Sequence, residues 1–273
     1  MPAGQSATQP TAKPMPRAVE RRRRLNILGV RVDDSPLDDA TARCERLLGL
    51  PPGGEGGRLH QVVTVNPEFV MRARQDAEFR ALLNGADLAT PDGAGIMVAS
   101  ALLGHRLRGR TTGVALTERL AELAARDGYR LFLLGAQPGV AADAGRVWEG
   151  HYPGLRLAGA YPGSPSADEQ EEITARITAA GADLLFVAFG APAQDLWIAR
   201  NRAALPTVRL ALGVGGVFDY VTGRVPLAPP LMRSAGLEWL YRLYKQPWRW
   251  RRMLALPAFA LAVLGQRRGR SGR

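Results

Sequence analysis

The side chains best suited to chemistry in this sequence follow short apolar runs. Asp92 stands in Pro91-Asp92-Gly93-Ala94-Gly95, where the glycines would let backbone amides approach a ligand closely. A carboxylate at this position could act as a general base, or it could cap a helix that begins near Ala94. The residue types leave both roles open.

Thr64 and Asn66 form a second polar site two positions apart, so they point the same way if a strand continues through both. Their hydroxyl and amide groups suit contacts with sugar hydroxyls or with phosphate. The alternative is a turn in which the Asn66 side chain bonds the backbone and ends the strand. Taken alone, this pattern favours the turn.

Metal and nucleotide-cofactor chemistry is not expected. The glycine-rich stretch 213–216 lacks both the GxGxxG spacing and the lysine of a P-loop, which argues against nicotinamide or ATP chemistry. His60, His105 and His151 are isolated, and the chain has no Asp-x-Asp pair of the kind that holds a divalent cation. A single cysteine, Cys44, excludes an intramolecular disulfide and a cysteine-based metal site.

The elements that position these residues alternate along the chain, which predicts a doubly wound α/β domain with a mostly parallel sheet. Ligands bind outside the carboxyl ends of strands in such sheets, so the polar and glycine residues above should gather on one edge. The predicted strands are Val62–Val65, Asp87–Ala89, Leu131–Leu134, Leu155–Ala158, Leu184–Phe189 and Val208–Gly213. The predicted helices are Pro67–Leu83, Ala94–Leu103, Gly113–Asp127, Val140–His151, Ala167–Ala180 and Ala193–Ala203. Leu25–Val32 and Pro36–Leu48 are expected to extend the domain at one edge.

Composition divides the 273-residue chain, which carries a net charge of +11, into three parts. Residues 1–24 lack periodicity and are predicted to be a disordered basic tail, residues 25–230 form the α/β domain, and residues 231–273 form a helical, basic and aromatic appendage. The appendage holds ten basic residues against one acidic one. Basic ends on a slightly acidic body suit an anionic membrane surface or a phosphorylated ligand better than nucleic acid, which usually meets a basic folded face.

The appendage is too short in apolar length to span a bilayer. Its uncharged run Met253–Leu264 has 12 residues, whereas a spanning helix needs about 20. Neighbouring aromatic and arginine side chains favour a segment lying at the headgroup level over a core helix with a solvated basic face. The arginines could instead neutralise a diphosphate leaving group, and spacing alone does not separate the two roles. These arginines are Arg242, Arg249, Arg251 and Arg252.

Six blocks of this sequence, taken in order, resemble the WecG/TagA/CpsF family of bacterial glycosyltransferases over about residues 27–255. The blocks are TVNPE at Thr64–Glu68, PDGAG at Pro91–Gly95, RTTG at Arg110–Gly113, FGAPAQD at Phe189–Asp195, GVGGVFDYVTG at Gly213–Gly223 and GLEWLYRLYKQPWRWRR at Gly236–Arg252. Each block is weakly specific by itself, but their shared order makes the resemblance specific.

The resemblance implies a Rossmann-like body that moves a sugar, usually from a UDP-linked donor, to a polyprenyl-diphosphate-linked saccharide in cell-surface polysaccharide synthesis. Inversion without a metal or cofactor is the implied course, at the inner face of the cytoplasmic membrane. By the same resemblance, Asp92 is the general base that takes the proton of the acceptor hydroxyl. The implied substrate-binding residues are Thr64, Asn66, Gln194, Arg242, Arg249 and Arg252.

Departures from the family pattern bear on the donor. Ala193 and Asp195 stand where the family usually has Lys and Glu, and Ala115 replaces a usual aspartate. N-acetylmannosamine, glucose and mannosaminuronic acid are therefore all open as the transferred sugar. Two other classes are also open: a non-catalytic nucleotide-sugar-binding module and a basic-tailed nucleic-acid binder. Assembly into a homo-oligomer is left open as well.

Overall fold

The computed structural model describes residues 23–51, 59–229, 231–232, 236, 238–245, 247, 250 and 254–271. Most of the predicted N-terminal tail therefore lies outside the described residues. Arg249, Arg251 and Arg252 also lie outside them, and so does the side chain of Arg242.

A six-stranded, fully parallel sheet forms the centre of the fold, in agreement with the α/β prediction. Its spatial order is β4-β3-β8-β7-β5-β6. The strands are β3 (His60–Val65), β4 (Leu88–Pro91), β5 (Arg130–Gly135), β6 (Arg156–Tyr161), β7 (Leu184–Ala188) and β8 (Leu210–Gly213). Parallel order requires a crossover between consecutive strands, and helices supply these crossovers.

Helices cover both faces of this sheet. They are α1 (Leu37–Leu48), α2 (Pro67–Gln75), α3 (Ala77–Gly85), α4 (Ala94–Leu102), α5 (Gly113–Asp127), α6 (Val140–His151), α7 (Gln170–Ala179), α8 (Ala193–Arg200) and α9 (Val217–Val221). Among the described residues that follow the body are the aromatic helix Glu238–Lys245 and the C-terminal helix Ala255–Ser271. Among the described residues, no helix combines the length and the apolar character needed to cross a bilayer.

The core follows from the alternation of side chains along each strand. In β7, Leu184 and Phe186 pack into one buried cluster with Trp148, whereas Leu185 and Val187 pack into another on the opposite face. The Trp148 ring is fully buried and meets the Phe186 ring edge-on, with centroids 5.8 Å apart. Since both faces of β7 are apolar, this strand lies in the middle of a layered core.

The N-terminal residues were expected to extend the α/β domain at one edge, and they do so beside the edge strand β4, as a hairpin outside the six-stranded sheet. Strands β1 (Arg24–Ile27) and β2 (Val30–Asp33) form a separate antiparallel hairpin. The hairpin turns at Leu28 and Gly29, both with positive φ. The hairpin contacts the main sheet through a side chain and not through strand pairing. The Ala89 N–H of β4 donates to Asp33 Oδ2 at 2.9 Å.

One predicted helix is two. The periodicity over Pro67–Leu83 predicted a single helix, but the chain leaves helical geometry at Asp76, where φ is −127° and ψ is 104°. The Asp76 Oδ1 accepts the Phe79 N–H at 2.9 Å and so begins α3. A capping aspartate can interrupt an apolar periodicity without changing it, because the side chain satisfies a backbone donor at the break.

The C-terminal helix packs on the body through one face. Phe259 and Val263 are buried in the cluster that contains the core residues of α2, α3 and α4. The Leu28 N–H donates to Gln266 Oε1 at 2.9 Å, and Gln266 Nε2 donates to the Asn26 carbonyl at 3.1 Å. Leu261, by contrast, is 71% exposed. The helix therefore combines a core-facing side with an apolar residue that faces outward, and the boundary near residue 230 stays a prediction.

Candidate functional site

A cavity of about 310 Å³ lies at the carboxyl ends of four adjacent strands, β4, β3, β8 and β7. This is the sheet edge at which polar and glycine residues were expected to gather. The cavity brings together the predicted residues Asp92, Thr64, Asn66 and Gln194. Its size is that of a small-molecule site. The sequence-based placement of these four residues on one edge therefore agrees with the geometry.

Glycines with positive φ form much of the cavity wall. Gly93 follows β4 with φ +85°, Gly190 follows β7 with φ +81°, and Gly215 follows β8 with φ +56°. A residue with a side chain would be strained at each of these angles. The turns therefore present backbone to the cavity, which suits close approach of a phosphate-bearing ligand.

Asp92 lies directly after β4, where its backbone N–H donates to the Val65 carbonyl of β3 at 2.8 Å. The cap position of α4 is Gly93, and no side chain makes a capping hydrogen bond there. Asp92 is therefore not the N-cap residue of α4, which was the alternative role considered from the sequence. Asp92 is half-buried and lines the cavity.

Asn66 and Thr64 have different environments at the end of β3. Asn66 Oδ1 accepts the Phe69 N–H at 2.9 Å and caps α2, so the structural role considered from the sequence is present. Asn66 also lines the cavity. Thr64 is 8% exposed and lies behind Gly113, whose absent side chain would meet Thr64 Oγ1 at 3.6 Å. Thr64 therefore lines the cavity with very little of its surface exposed.

Gln194 joins two of the glycine turns. Its Oε1 accepts the Gly190 N–H at 3.2 Å and the Gly215 N–H at 2.9 Å. The side chain is almost fully buried, so these bonds form away from bulk water. Gly213 allows this packing, because a Cβ atom there would lie 2.5 Å from Gln194 Nε2. Gln194 therefore fixes the relative positions of the turns that follow β7 and β8.

Asp195 lies beneath this part of the cavity and is 1% exposed. Burial raises the pKa of its carboxyl from the ordinary 3.8 to about 7, against the opposing effect of a hydrogen bond from Gln194. Within the described part of the chain, its Oδ2 atom has no hydrogen-bond partner. A proton on the carboxyl removes the cost of burying an unpaired charge.

Arg110 and Glu238 line the same cavity, although sequence reasoning gave neither a site role. Arg110 Nη2 lies 3.4 Å from Glu238 Oε1, and each side chain is 26% exposed. The pair joins the body to the aromatic helix across 128 positions of sequence. Their presence in the RTTG and GLEW blocks was the available signal, but nothing local in either block indicates that the two meet.

The charge of the cavity differs from what a diphosphate needs. Among its described lining residues, Glu68, Asp92 and Glu238 are acidic and Arg110 is the one guanidinium. An anionic leaving group would therefore need cations from elsewhere in the chain. In the described ranges, no three His, Cys, Asp or Glu side chains are grouped so that they could hold a metal ion.

Comparison with known proteins places these features in a family context. The model of the glycosyl transferase WecG/TagA/CpsF family matches residues 25–273. An N-acetylglucosaminyldiphosphoundecaprenol N-acetyl-beta-D-mannosaminyltransferase of Bacillus spizizenii (strain W23) is 37% identical over 207 residues, 76% of this chain and 79% of the relative. A Bacillus subtilis (strain 168) protein of the same name is 34% identical over 209 residues, 77% of this chain and 80% of the relative.

Proposed function

The chain belongs to the WecG/TagA/CpsF family and is a glycosyltransferase, and from this premise we propose that it transfers a sugar from a UDP-linked donor to a polyprenyl-diphosphate-linked saccharide. The observation that carries the proposal is the single cavity that Asp92, Thr64, Asn66 and Gln194 share at the sheet edge. A UDP-linked N-acetylmannosamine is the first donor to test, because both relatives are named for that sugar.

In the proposed reaction, Asp92 takes the proton of the acceptor hydroxyl while that oxygen bonds to the anomeric carbon. The bond from the anomeric carbon to the diphosphate breaks, and UDP leaves with the electron pair on the opposite face, so the configuration inverts. Backbone N–H groups of the glycine turns, other than those of Gly190 and Gly215 that donate to Gln194, would lie near the developing negative charge. Thr64, Asn66 and Gln194 would shape the pocket, with Gln194 acting mainly by holding the turns.

Neutralisation of the leaving diphosphate is assigned to protein cations and not to a metal. Arg110 supports this proposal, because it is the one guanidinium among the described residues that line the cavity. We propose Arg242, Arg249 and Arg252 for the same role, because a guanidinium fork matches phosphate oxygens.

The same appendage would hold the enzyme on an anionic membrane at the cytoplasmic face. Exposed apolar and aromatic side chains support this: Tyr244 is 77% exposed, Trp250 53% and Leu254 58%. Basic residues accompany them, among them Lys245 and the exposed Arg267. Rings and leucines beside cations suit the headgroup level of an anionic bilayer. Binding to vesicles that contain anionic lipid, and not to neutral vesicles, is the expected result.

The assignment of Asp92 is tested with the Asp92→Asn variant, using UDP-N-acetylmannosamine and a short-chain lipid-diphosphate N-acetylglucosamine acceptor. Loss of a general base should lower kcat by roughly 10²–10⁴-fold. Asp168→Asn is the control, because Asp168 is an exposed carboxylate. Near-normal turnover by folded Asp92→Asn would remove Asp92 from the role of base. Binding of donor without transfer or hydrolysis by the wild type would favour the non-catalytic module.

A further inference from the structure

A second concavity, of about 410 Å³, opens between α2 and the C-terminal helix. We call it the α2 groove. Polar and apolar side chains share its lining, and the polar ones are confined to α2. It is lined by Glu68, Phe69, Met71, Arg72, Gln75, Phe79, Ala191, Pro192, Leu254, Ala255 and Ala258.

The α2 groove adjoins the candidate active site. Glu68, Phe69, Ala191 and Ala255 line both the groove and the cavity described above. A ligand whose reacting end occupied the cavity could therefore continue into the groove without leaving the protein surface.

One wall of the groove favours an apolar ligand. Phe69 and Phe79 are buried and meet edge-on, with ring centroids 5.3 Å apart, so the floor is rigid. Proline, alanine and leucine side chains form the remaining apolar wall. A hydrocarbon chain that packs against these apolar side chains would be removed from water, while the polar side chains of α2 lie on the other side of the groove.

An apolar surface leads outward from the groove. Ala258 and Leu261 are exposed and three residues apart, which places them on one side of the C-terminal helix, and the exposed Leu254 lies directly before that helix. Leu254 is 58% and Leu261 71% exposed. The surface thus runs from the cavity, through the groove, to the exterior.

We propose that the α2 groove binds the part of the acceptor's polyprenyl chain nearest to its diphosphate, while the rest of the chain follows the leucine-bearing side of the C-terminal helix. This inference rests on the proposed function, since both relatives are named for a diphosphoundecaprenol acceptor. The acceptor's polar head would then enter the cavity, and its hydrocarbon chain would pack against the apolar side chains of the groove. The groove makes chain length a determinant of acceptor binding.

The kinetic test compares two synthetic N-acetylglucosaminyl-diphosphate acceptors, one with a farnesyl tail and one with a methyl group. Wild-type protein should show the lower KM for the farnesyl acceptor. Ala258→Trp should raise that KM at least about tenfold, which corresponds to losing the burial of roughly two methylenes, and should leave KM for the methyl acceptor unchanged. Ala260→Trp is the matched control, because Ala260 is exposed on the same helix but does not line the groove.

A binding test needs no turnover. Ala258→Cys can be labelled selectively with an environment-sensitive fluorophore, because Cys44 is fully buried. Farnesyl diphosphate should shift the emission, and inorganic diphosphate should not. A shift without transfer to any acceptor would support the groove and refute the proposed function. Transfer with equal KM for both acceptors, or an unchanged emission with farnesyl diphosphate, would refute the groove alone.

Discussion

The buried carboxyl group of Asp195 gives a pH dependence that can be worked out from the structure. The side chain is 1% exposed, and burial raises its pKa to about 7. In the unfolded chain the same group titrates near 3.8. Between these two values the folded protein keeps a proton that the unfolded chain has released. The Asp195→Asn variant removes the titration while keeping an oxygen that can accept from Gln194.

The direction in which stability changes with pH follows from the linkage between proton binding and folding. Because the folded pKa is raised, the stability associated with this proton is fully present below pH 3.8 and is lost as the pH rises to about 7. The slope is about 1.4 kcal/mol per pH unit, so the whole window amounts to about 4 kcal/mol. Solvent screening does not reduce this figure much, since the group is buried. Between pH 5 and pH 8, Asp195→Asn should gain about 3 kcal/mol in stability relative to wild type.

Urea denaturation at pH 5, 6, 7 and 8 measures this difference in the free energy of unfolding, provided that the m values agree. The gain should accumulate mostly below pH 7 and level off above it. Asp168→Asn controls for the loss of one negative charge, because Asp168 is exposed. Parallel stability curves for wild type and Asp195→Asn would show that Asp195 does not hold a proton in the folded protein.

Three further outcomes are expected. Gly213→Ala places a methyl group 2.5 Å from Gln194 Nε2. It should therefore lower the free energy of unfolding, measured by urea denaturation, by about 1–3 kcal/mol and raise the KM for the donor. An unchanged donor KM would show that the glycine turns do not contribute to donor binding. Phe259→Ala removes a ring that is 4% exposed, so it should lower the free energy of unfolding by about 3–5 kcal/mol. Leu261→Ala, at an exposed position, should lower it far less. Equal decreases for the two variants would contradict the packing of the C-terminal helix on the body. Transfer activity should survive dialysis against a chelator, and activity that is lost and then restored by Mg²⁺ or Mn²⁺ would show that a metal neutralises the diphosphate.

Much of the fold could be predicted from local sequence. Alternation of apolar runs with helical spacing is enough to identify a parallel α/β sheet, because periodicity records which faces are buried. The same pattern places Thr64 at the end of a strand and Asn66 and Asp92 just after strands, and parallel strands bring their carboxyl ends to one edge. These predictions agree with the structure because each depends on burial or strand direction and not on a specific distant partner.

Apolar spacing predicted one helix where the structure has two, and it did not reveal the N-terminal hairpin. The helix predicted over Pro67–Leu83 continues its apolar spacing through Asp76, so the spacing could not reveal the break that the capping bond to Phe79 produces. The N-terminal residues have strand character, and only the turn at Leu28 and Gly29 makes them a separate hairpin. In both cases a few backbone angles decide the outcome, and hydrophobic periodicity does not report them.

The sequence by itself determined the order of strands and helices along the chain, the sheet edge at which polar groups collect, and the family that six short blocks indicate. What only the tertiary structure decided is how distant residues meet. Gln194 accepts from both Gly190 and Gly215, and Arg110 pairs with Glu238 across 128 positions. Such contacts depend on how the elements pack in three dimensions, whereas a sequence pattern reports only the environment of neighbouring residues.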